Sequence, residues 1–232
     1  MQLRNGKNIY FPIYAFEQKD LILIFDVETT GLLPKIYKNQ ASPPAIEEFP
    51  YVIQLSYVIF HNVTKQIVKT FNRFIKVNVE ISEKITEITG ITKEICENAG
   101  IPIQDALIEL YSDIHHCGHL VAHNYNFDKT VLQTEFYRNG PEIESSCPNY
   151  KYIFHADYLL QNNIQAKCTM MMGISICKIP FPNNPTSKSY KYPNLAELHN
   201  HLFGIVPNGL HNAYVDVIAC LSCYLSITSH DQ

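Results

Sequence analysis

The sequence predicts an α/β domain built on a mixed sheet, with an antiparallel three-strand meander and helices along its flanks. Three observations predict it. Residues 20–28 hold an unbroken apolar run, Leu21-Ile22-Leu23-Ile24-Phe25, the pattern of a strand buried on both faces. Two more strand-like runs follow at 51–61 and 67–77, joined by a short turn at 62–66 that makes them a hairpin. Past residue 80, helical patterns alternate with short strand candidates, the order expected of a sheet covered by helices.

Each element has its own local reason. Residues 1–19 read as a peripheral arm or a short edge strand. The stretch 35–50, bracketed by Pro34, Pro43, Pro44 and Pro50, reads as a surface loop. Ser82 and Thr92 are N-caps for short helices at 83–89 and 93–98. Pro102 opens a longer helix with Ile103, Leu107, Leu110 and Ile114 on one face. Residues 119–124 (HLVAHN) form a short buried strand, and Phe127, Val131, Leu132 and Phe136 mark the inner face of the next helix. Residues 139–151 and 178–193 read as loops, with a strand at 151–155 between them. Pro193 starts a helix with Leu195, Leu198 and Leu202 turned inward and Gly204 as its stop. The last helix spans about 212–227, and residues 228–232 form a tail.

Bulk properties bound the function. The 232 residues suit one α/β domain, at 46% hydrophobic and 17% charged. No stretch approaches the roughly 18–20 apolar residues that span a membrane, and the N-terminus lacks a signal-peptide core, so a cytoplasmic or otherwise intracellular setting without membrane partners is expected. The net charge of −4 does not suggest a non-specific duplex binder. The seven cysteines show no disulfide framework. Cys220 and Cys223 have metal-like spacing but lie on an apolar helical pattern, which favours core thiols. His115-His116-Cys117-Gly118-His119 has no second cluster to complete a zinc site, which favours a solvated turn.

The chemistry gathers in three segments. Asp26 and Glu28 stand two apart at the end of the first strand, so they project to one side and repel each other. Divalent cations are the commonest remedy. Asp128 begins a helix just after a buried strand, and Asp216 lies at the start of the last helix, five residues after His211. Asp26 and Glu28 as caps of a neighbouring helix, and Asp128 and Asp216 as acids serving helix dipoles, are the alternatives.

Asp26-x-Glu28, then His123-Asn124-x-x-Phe127-Asp128, then His211-x-x-x-x-Asp216 resembles the DnaQ-like 3′–5′ exonucleases of the DEDDh type, a family that includes polymerase proofreading subunits, oligoribonuclease and RNase T. The likeness covers roughly residues 20–226. Tyr51-Val52-Ile53-Gln54-Leu55 and Ile88-Thr89-Gly90-Ile91-Thr92 fall where the family has its second strand and a turn before two helices. The resemblance implies an RNase H-like exonuclease fold over 20–227 and removal of nucleotides from a 3′ end. It also implies two divalent cations, Mg²⁺ or Mn²⁺, held by Asp26, Glu28, Asp128 and Asp216. In that assignment Asp26 bridges both ions, Glu28 and Asp216 complete the shell of the ion that activates water, and Asp128 acts largely through coordinated water. His211 is the general base or orients the attacking water, which suits a side chain whose ordinary pKa is near 6.5.

Thr29 and Leu32 match positions that touch the terminal nucleotide, and Asn124 is a candidate for orienting the site. For Leu32 plain packing is an equal alternative, and for Asn124 a turn-holding role. His123 reads as structural; Tyr125 is a weak candidate for base stacking, being one of 15 tyrosines; and Lys35, Lys38, Lys188 and Lys191 read individually as solvated loop cations, with phosphate contact the alternative. The expected substrate is a single-stranded or frayed 3′ end, DNA favoured, yielding nucleoside 5′-monophosphates. RNA trimming by the same chemistry and a non-catalytic nucleic-acid or polymerase-binding module are the alternatives. A polymerase or another replication or repair protein is a candidate partner.

Overall fold

The computed structural model describes residues 13–35, 42–184 and 188–229. Its centre is a five-stranded sheet in the order β3-β2-β1-β4-β5. The strands are β1 (Leu21–Thr29), β2 (Val52–His61), β3 (Gln66–Phe74), β4 (His119–Ala122) and β5 (Gln165–Cys168). β1, β2 and β3 pair antiparallel, as the hairpin pattern predicts, and β4 and β5 add in parallel to β1. The helices in chain order are α1 (Glu83–Thr89), α2 (Lys93–Ala99), α3 (Ile103–Ile114), α4 (Tyr125–Arg138), α5 (Gly140–Ile143), α6 (Ala156–Gln161), α7 (Thr169–Cys177), α8 (Leu195–Phe203) and α9 (Ala213–Ser229). Among the described residues no helix is long and apolar enough to cross a membrane.

Alternation along β1 divides the core. Leu21, Leu23, Phe25 and Val27 face α3 and α4, together with Leu55, Tyr57 and Ile59 of β2. Ile22 and Ile24 face α8 and α9, together with Val58 and Phe60. On this second face the apolar pattern stops at Ile24, and Asp26 and Glu28 take the next two positions. Their register partners on β2 are Ser56 and Gln54. One face of the central strands therefore turns polar at the edge where β1 and β4 both end.

Most elements have the chemistry the sequence suggests. Ser82 and Thr92 accept the backbone N–H of Ile85 and Ile95 as helix caps. α8 begins at Leu195, with Asn194 and Glu197 forming a reciprocal capping box, and Gly204 ends it at φ +72°. Three expectations need correction. Residues 151–155 are turns leading into α6, not a strand. Ile153 and Phe154 are apolar because they plug the core beneath α4. The fifth strand is instead β5, whose Gln-Ala-Lys-Cys sequence carries no apolar alternation because it is a half-exposed edge. The presumed loop 139–151 contains the single turn of α5, and α6 and α7 have no counterpart among the expected elements. Of the N-terminal arm, the described part consists of 3₁₀ turns at Ile13–Ala15 and Gln18–Asp20. Residues 1–12, Lys38 in the proline-rich loop and the end of the tail lie outside the described residues.

α4 runs across the edge of the sheet from β1 to β2, and two of its carboxylates fix that crossing. Asp128 accepts the N–H of Val27 on β1 at 3.2 Å, and Glu135 accepts the N–H of Val52 on β2 at 3.1 Å. Buried Glu135 also pairs with Arg138 at 3.0 Å. The same guanidinium donates to the carbonyls of Ile46, Phe49 and Pro50 and stacks on Tyr51 at 3.9 Å. The chain entering β2 is thereby clamped to the helix. Removing one partner of a buried pair commonly costs about 3–5 kcal/mol, because the other charge is left without compensation. Glu135→Ala is expected to lose that much in urea unfolding. A loss below about 1 kcal/mol would show that the clamp carries no weight.

Candidate active site

The site assembles where four chain segments reach one edge of the sheet. β1 brings Asp26 and Glu28. The turn between β4 and α4 passes through Asn124 at φ +67°, a left-handed conformation that asparagine tolerates better than most residues. α4 then places Asp128 in its first turns. The turn before α9 passes through Gly209 at φ +79° and His211 at φ +69°. The bent backbone aims the His211 N–H at Asp216 Oδ2, 3.2 Å away. Both helices thus point their N-termini, the positive end of the helix dipole, toward the carboxylates they carry.

Asp26, Glu28 and Asp216 each offer an oxygen, and these oxygens lie within 4.8 Å of one another. Asp128 is almost fully buried beside them, with one oxygen committed to Val27. Burial pushes Asp26 well above the usual carboxylate range, and the charges of Asp128, Asp216 and Glu28 push it further. Burial also raises Glu28 to about 7, helped by Asp216. Asp216 is raised by burial to about 6, against the lowering effect of the His211 N–H. Asp128 is likewise raised well above its ordinary value by burial, in spite of its bond from Val27. Asp216 Oδ1 is buried and has no hydrogen-bond partner. Clustered hard oxygens with one of them orphaned fit a divalent cation of the Mg²⁺ or Mn²⁺ kind.

The other expected residues distribute as follows. His211 is exposed at the mouth of the cluster. The Thr29 hydroxyl donates to the carbonyl of Gly31 at 2.6 Å, shaping the turn after the acid pair. Leu32 is 85% exposed, so the packing alternative does not describe it. Asn124 caps α4 by position only, with no side-chain cap bond. His123 is a strut between Thr169 Oγ1 at 3.0 Å and the Pro193 carbonyl at 3.1 Å, held neutral by burial with its pKa at about 4. The Tyr125 ring packs edge-on against Phe25, with its hydroxyl buried. Lys191 is paired with Glu197, whereas Lys35 and Lys188 are exposed. Cys117, Cys220 and Cys223 are buried core thiols, and His115 bridges the Tyr111 carbonyl and the Tyr158 hydroxyl.

Sequence reasoning missed three polar residues beneath the cluster. Gln54 Oε1 accepts the N–H of Ala213, the first residue of α9, at 3.2 Å. Gln54 Nε2 and Ser56 Oγ both donate to Asn72 Oδ1 on β3, at 2.9 and 2.7 Å. The available signal was a pair of polar residues two apart inside an otherwise apolar strand, opposite the two acids.

The site is thus a carboxylate cluster at the edge of the central strand of a five-stranded mixed sheet with helices on both faces. An exonuclease family model, RNase T, matches residues 23–224, and the chain belongs to that exonuclease family. The PolC-type DNA polymerase III of Caldanaerobacter subterraneus is 29% identical over 53% of this chain and 8% of that protein. That of Ureaplasma parvum is 35% identical over 52% of this chain and 7% of its own length. The 3′–5′ exonuclease DinG of Staphylococcus aureus is 29% identical over 83% of this chain and 16% of its own length. The chain therefore spans only a small part of these relatives. Among solved structures, E. coli exonuclease I in a zinc-bound complex with single-stranded DNA superposes with a TM-score of 0.62 at 17% identity, over 93% of this chain and 41% of that one. Exonuclease I of Methylocaldum szegediense gives 0.62 at 16% identity, over 91% of this chain and 41% of that one. At that identity the two structures establish the shared fold.

The raised carboxylates make stability depend on pH with a definite sign. In the unfolded chain these groups ionise near 4. Glu28 and Asp216 do so near 7 and 6 in the fold. Between those values the folded protein holds more protons, so metal-free stability is lost as pH rises through 6 and 7. The metal-free protein is expected to melt higher at pH 5.5 than at pH 7.5, and Mn²⁺ to raise the melting temperature more at pH 7.5. Equal Mn²⁺ responses at both pH values would contradict proton–metal competition at this cluster.

Proposed function

We propose that this chain is a metal-dependent 3′–5′ exonuclease that shortens single-stranded or frayed DNA and releases nucleoside 5′-monophosphates. The observation that carries the proposal is the oxygen cluster of Asp26, Glu28 and Asp216 with Asp128 beside it, in a chain that belongs to an exonuclease family. Asp26, Glu28 and Asp216 would hold one ion, and Asp26 with Asp128 a second. Bound divalent metal supplies positive charge that stabilises the phosphorane-like transition state and sharpens the attacking water. Exposed His211, tethered through its backbone to Asp216, takes the proton of that water. Leu32, exposed four residues after Glu28, and the Asn124 turn, four residues before Asp128, are the proposed contacts of the terminal nucleotide, with Thr29 shaping the turn between Glu28 and Leu32.

DNA is favoured because the exonuclease I structures sharing this fold include complexes with single-stranded DNA, and because PolC-type DNA polymerases are relatives over half the chain. A polymerase is accordingly the proposed kind of partner. RNA trimming by the same residues is the second reading, since nothing in the acid cluster distinguishes a 2′-hydroxyl.

Digestion of 5′-labelled and 3′-labelled oligonucleotides, both DNA and RNA, tests these readings. The expected result is a ladder of shortened 5′-labelled DNA with Mg²⁺ or Mn²⁺, and none with EDTA. Asp26→Ala is expected to lower turnover at least about 10³-fold, as for residues that act as one catalytic unit. His211→Ala should cost about 10²–10⁴-fold. Full activity in Asp26→Ala would remove the cluster from the mechanism.

A further inference from the structure

The three polar residues beneath the acids form a relay that runs from the outer strand of the meander to the helix carrying Asp216. Asn72 on β3 receives two donors on one oxygen, from Gln54 and from Ser56. Ser56 is fully buried and Gln54 is 1% exposed, so neither donor has water as a substitute. With Nε2 committed to Asn72, the Gln54 amide presents its oxygen to α9. That oxygen accepts the N–H of Ala213, one of the helix N-terminal donors with no partner inside the helix.

The register explains why this fixes the site. Gln54 is the partner of Glu28 and Ser56 the partner of Asp26 across the β1–β2 ladder. Ala213 lies three residues before Asp216, on the same first turn of α9. The relay therefore references Asp216 to the same strand pair that carries the other two acids. A neutral amide is suited to this post. It accepts a helix N–H without adding another negative charge next to Asp26, Glu28 and Asp216.

We infer that Asn72 and Gln54 are positioning residues, which set the distance of Asp216 from Asp26 and Glu28 and hence the cation affinity of the cluster. The inference rests on the metal-dependent reading above, and its test is built to fail separately. Asn72 sits partly exposed on an outer strand, so its variants are the primary probes. Asn72→Leu removes the acceptor at similar volume, Asn72→Asp keeps it, and Gln54→Leu removes the link to α9.

The measurements are the Mn²⁺-induced rise in melting temperature, Mn²⁺ binding by calorimetry, and kcat and KM on a labelled single-stranded oligonucleotide. Asn72→Leu and Gln54→Leu are expected to weaken Mn²⁺ binding and lower kcat by about tenfold or more, the range for residues that orient metal ligands. KM should stay within about threefold of the unaltered protein, because the relay touches no substrate. Asn72→Asp should restore both Mn²⁺ binding and kcat. Unchanged Mn²⁺ binding in Asn72→Leu with its fold intact would overturn the inference. So would equal losses in Asn72→Asp and Asn72→Leu, which would reduce Asn72 to a packing role. An unaltered protein that binds Mn²⁺ but cleaves nothing would overturn the exonuclease reading and leave the relay standing. One that shows no Mn²⁺ response would overturn the relay as well.

Discussion

Mutual repulsion among four buried or half-buried acids is the constraint on which this architecture turns. A single carboxylate at a strand end is unremarkable, but Asp26, Glu28, Asp128 and Asp216 meet at one edge, and burial raises every one of them above its ordinary pKa. An arrangement of this kind does not hold itself together. Each acid must be pinned by something other than its neighbours. The pins are visible: the ladder of β1 for the first two, the Val27 N–H for Asp128, and the His211 N–H for Asp216. The rest of the fold delivers those pins.

Delivery explains the layout of the two faces. β4 pairs with β1 only through Ile24, so the edge beyond it is left to α4. Asp128 takes up the Val27 N–H that a continuing strand would have used. On the opposite face, α9 packs along Ile22 and Ile24 and arrives with its N-terminus over the polar end of β2. The apolar parts of both helices secure their position, and their first turns carry Asp128 and Asp216. A protein stabilised by its core thus holds an arrangement that electrostatics alone would push apart.

Much of this was legible in the sequence because it rests on short-range patterns. The apolar run 21–25 identified the central strand, and the 26/28 spacing identified the shared face. The caps at Ser82 and Thr92 follow from local hydrogen bonding and are present in the structure. What escaped depends on contacts between distant segments. β5 is a strand because β4 offers it an edge, not because Gln-Ala-Lys-Cys favours one. Ile153 and Phe154 carry a strand-like signal because they fill a core from a turn. The role of Gln54 is set by a helix 159 residues further along the chain, which no local pattern contains.

The Arg138 clamp has a further consequence for how such a domain can change. It anchors residues 46–50 to α4, while the Thr29 hydroxyl and the Thr30–Tyr51 bonds close the other end of the excursion between β1 and β2. Both ends are therefore held independently of whatever lies between them. Lengthening an excursion whose ends are already fixed costs little, about 0.6 kcal/mol per doubling of its length. The part of the proline-rich segment before Ile46 can accordingly be rewritten by drift or by design as an interchangeable cassette, while the carboxylate edge a few residues away keeps its shape.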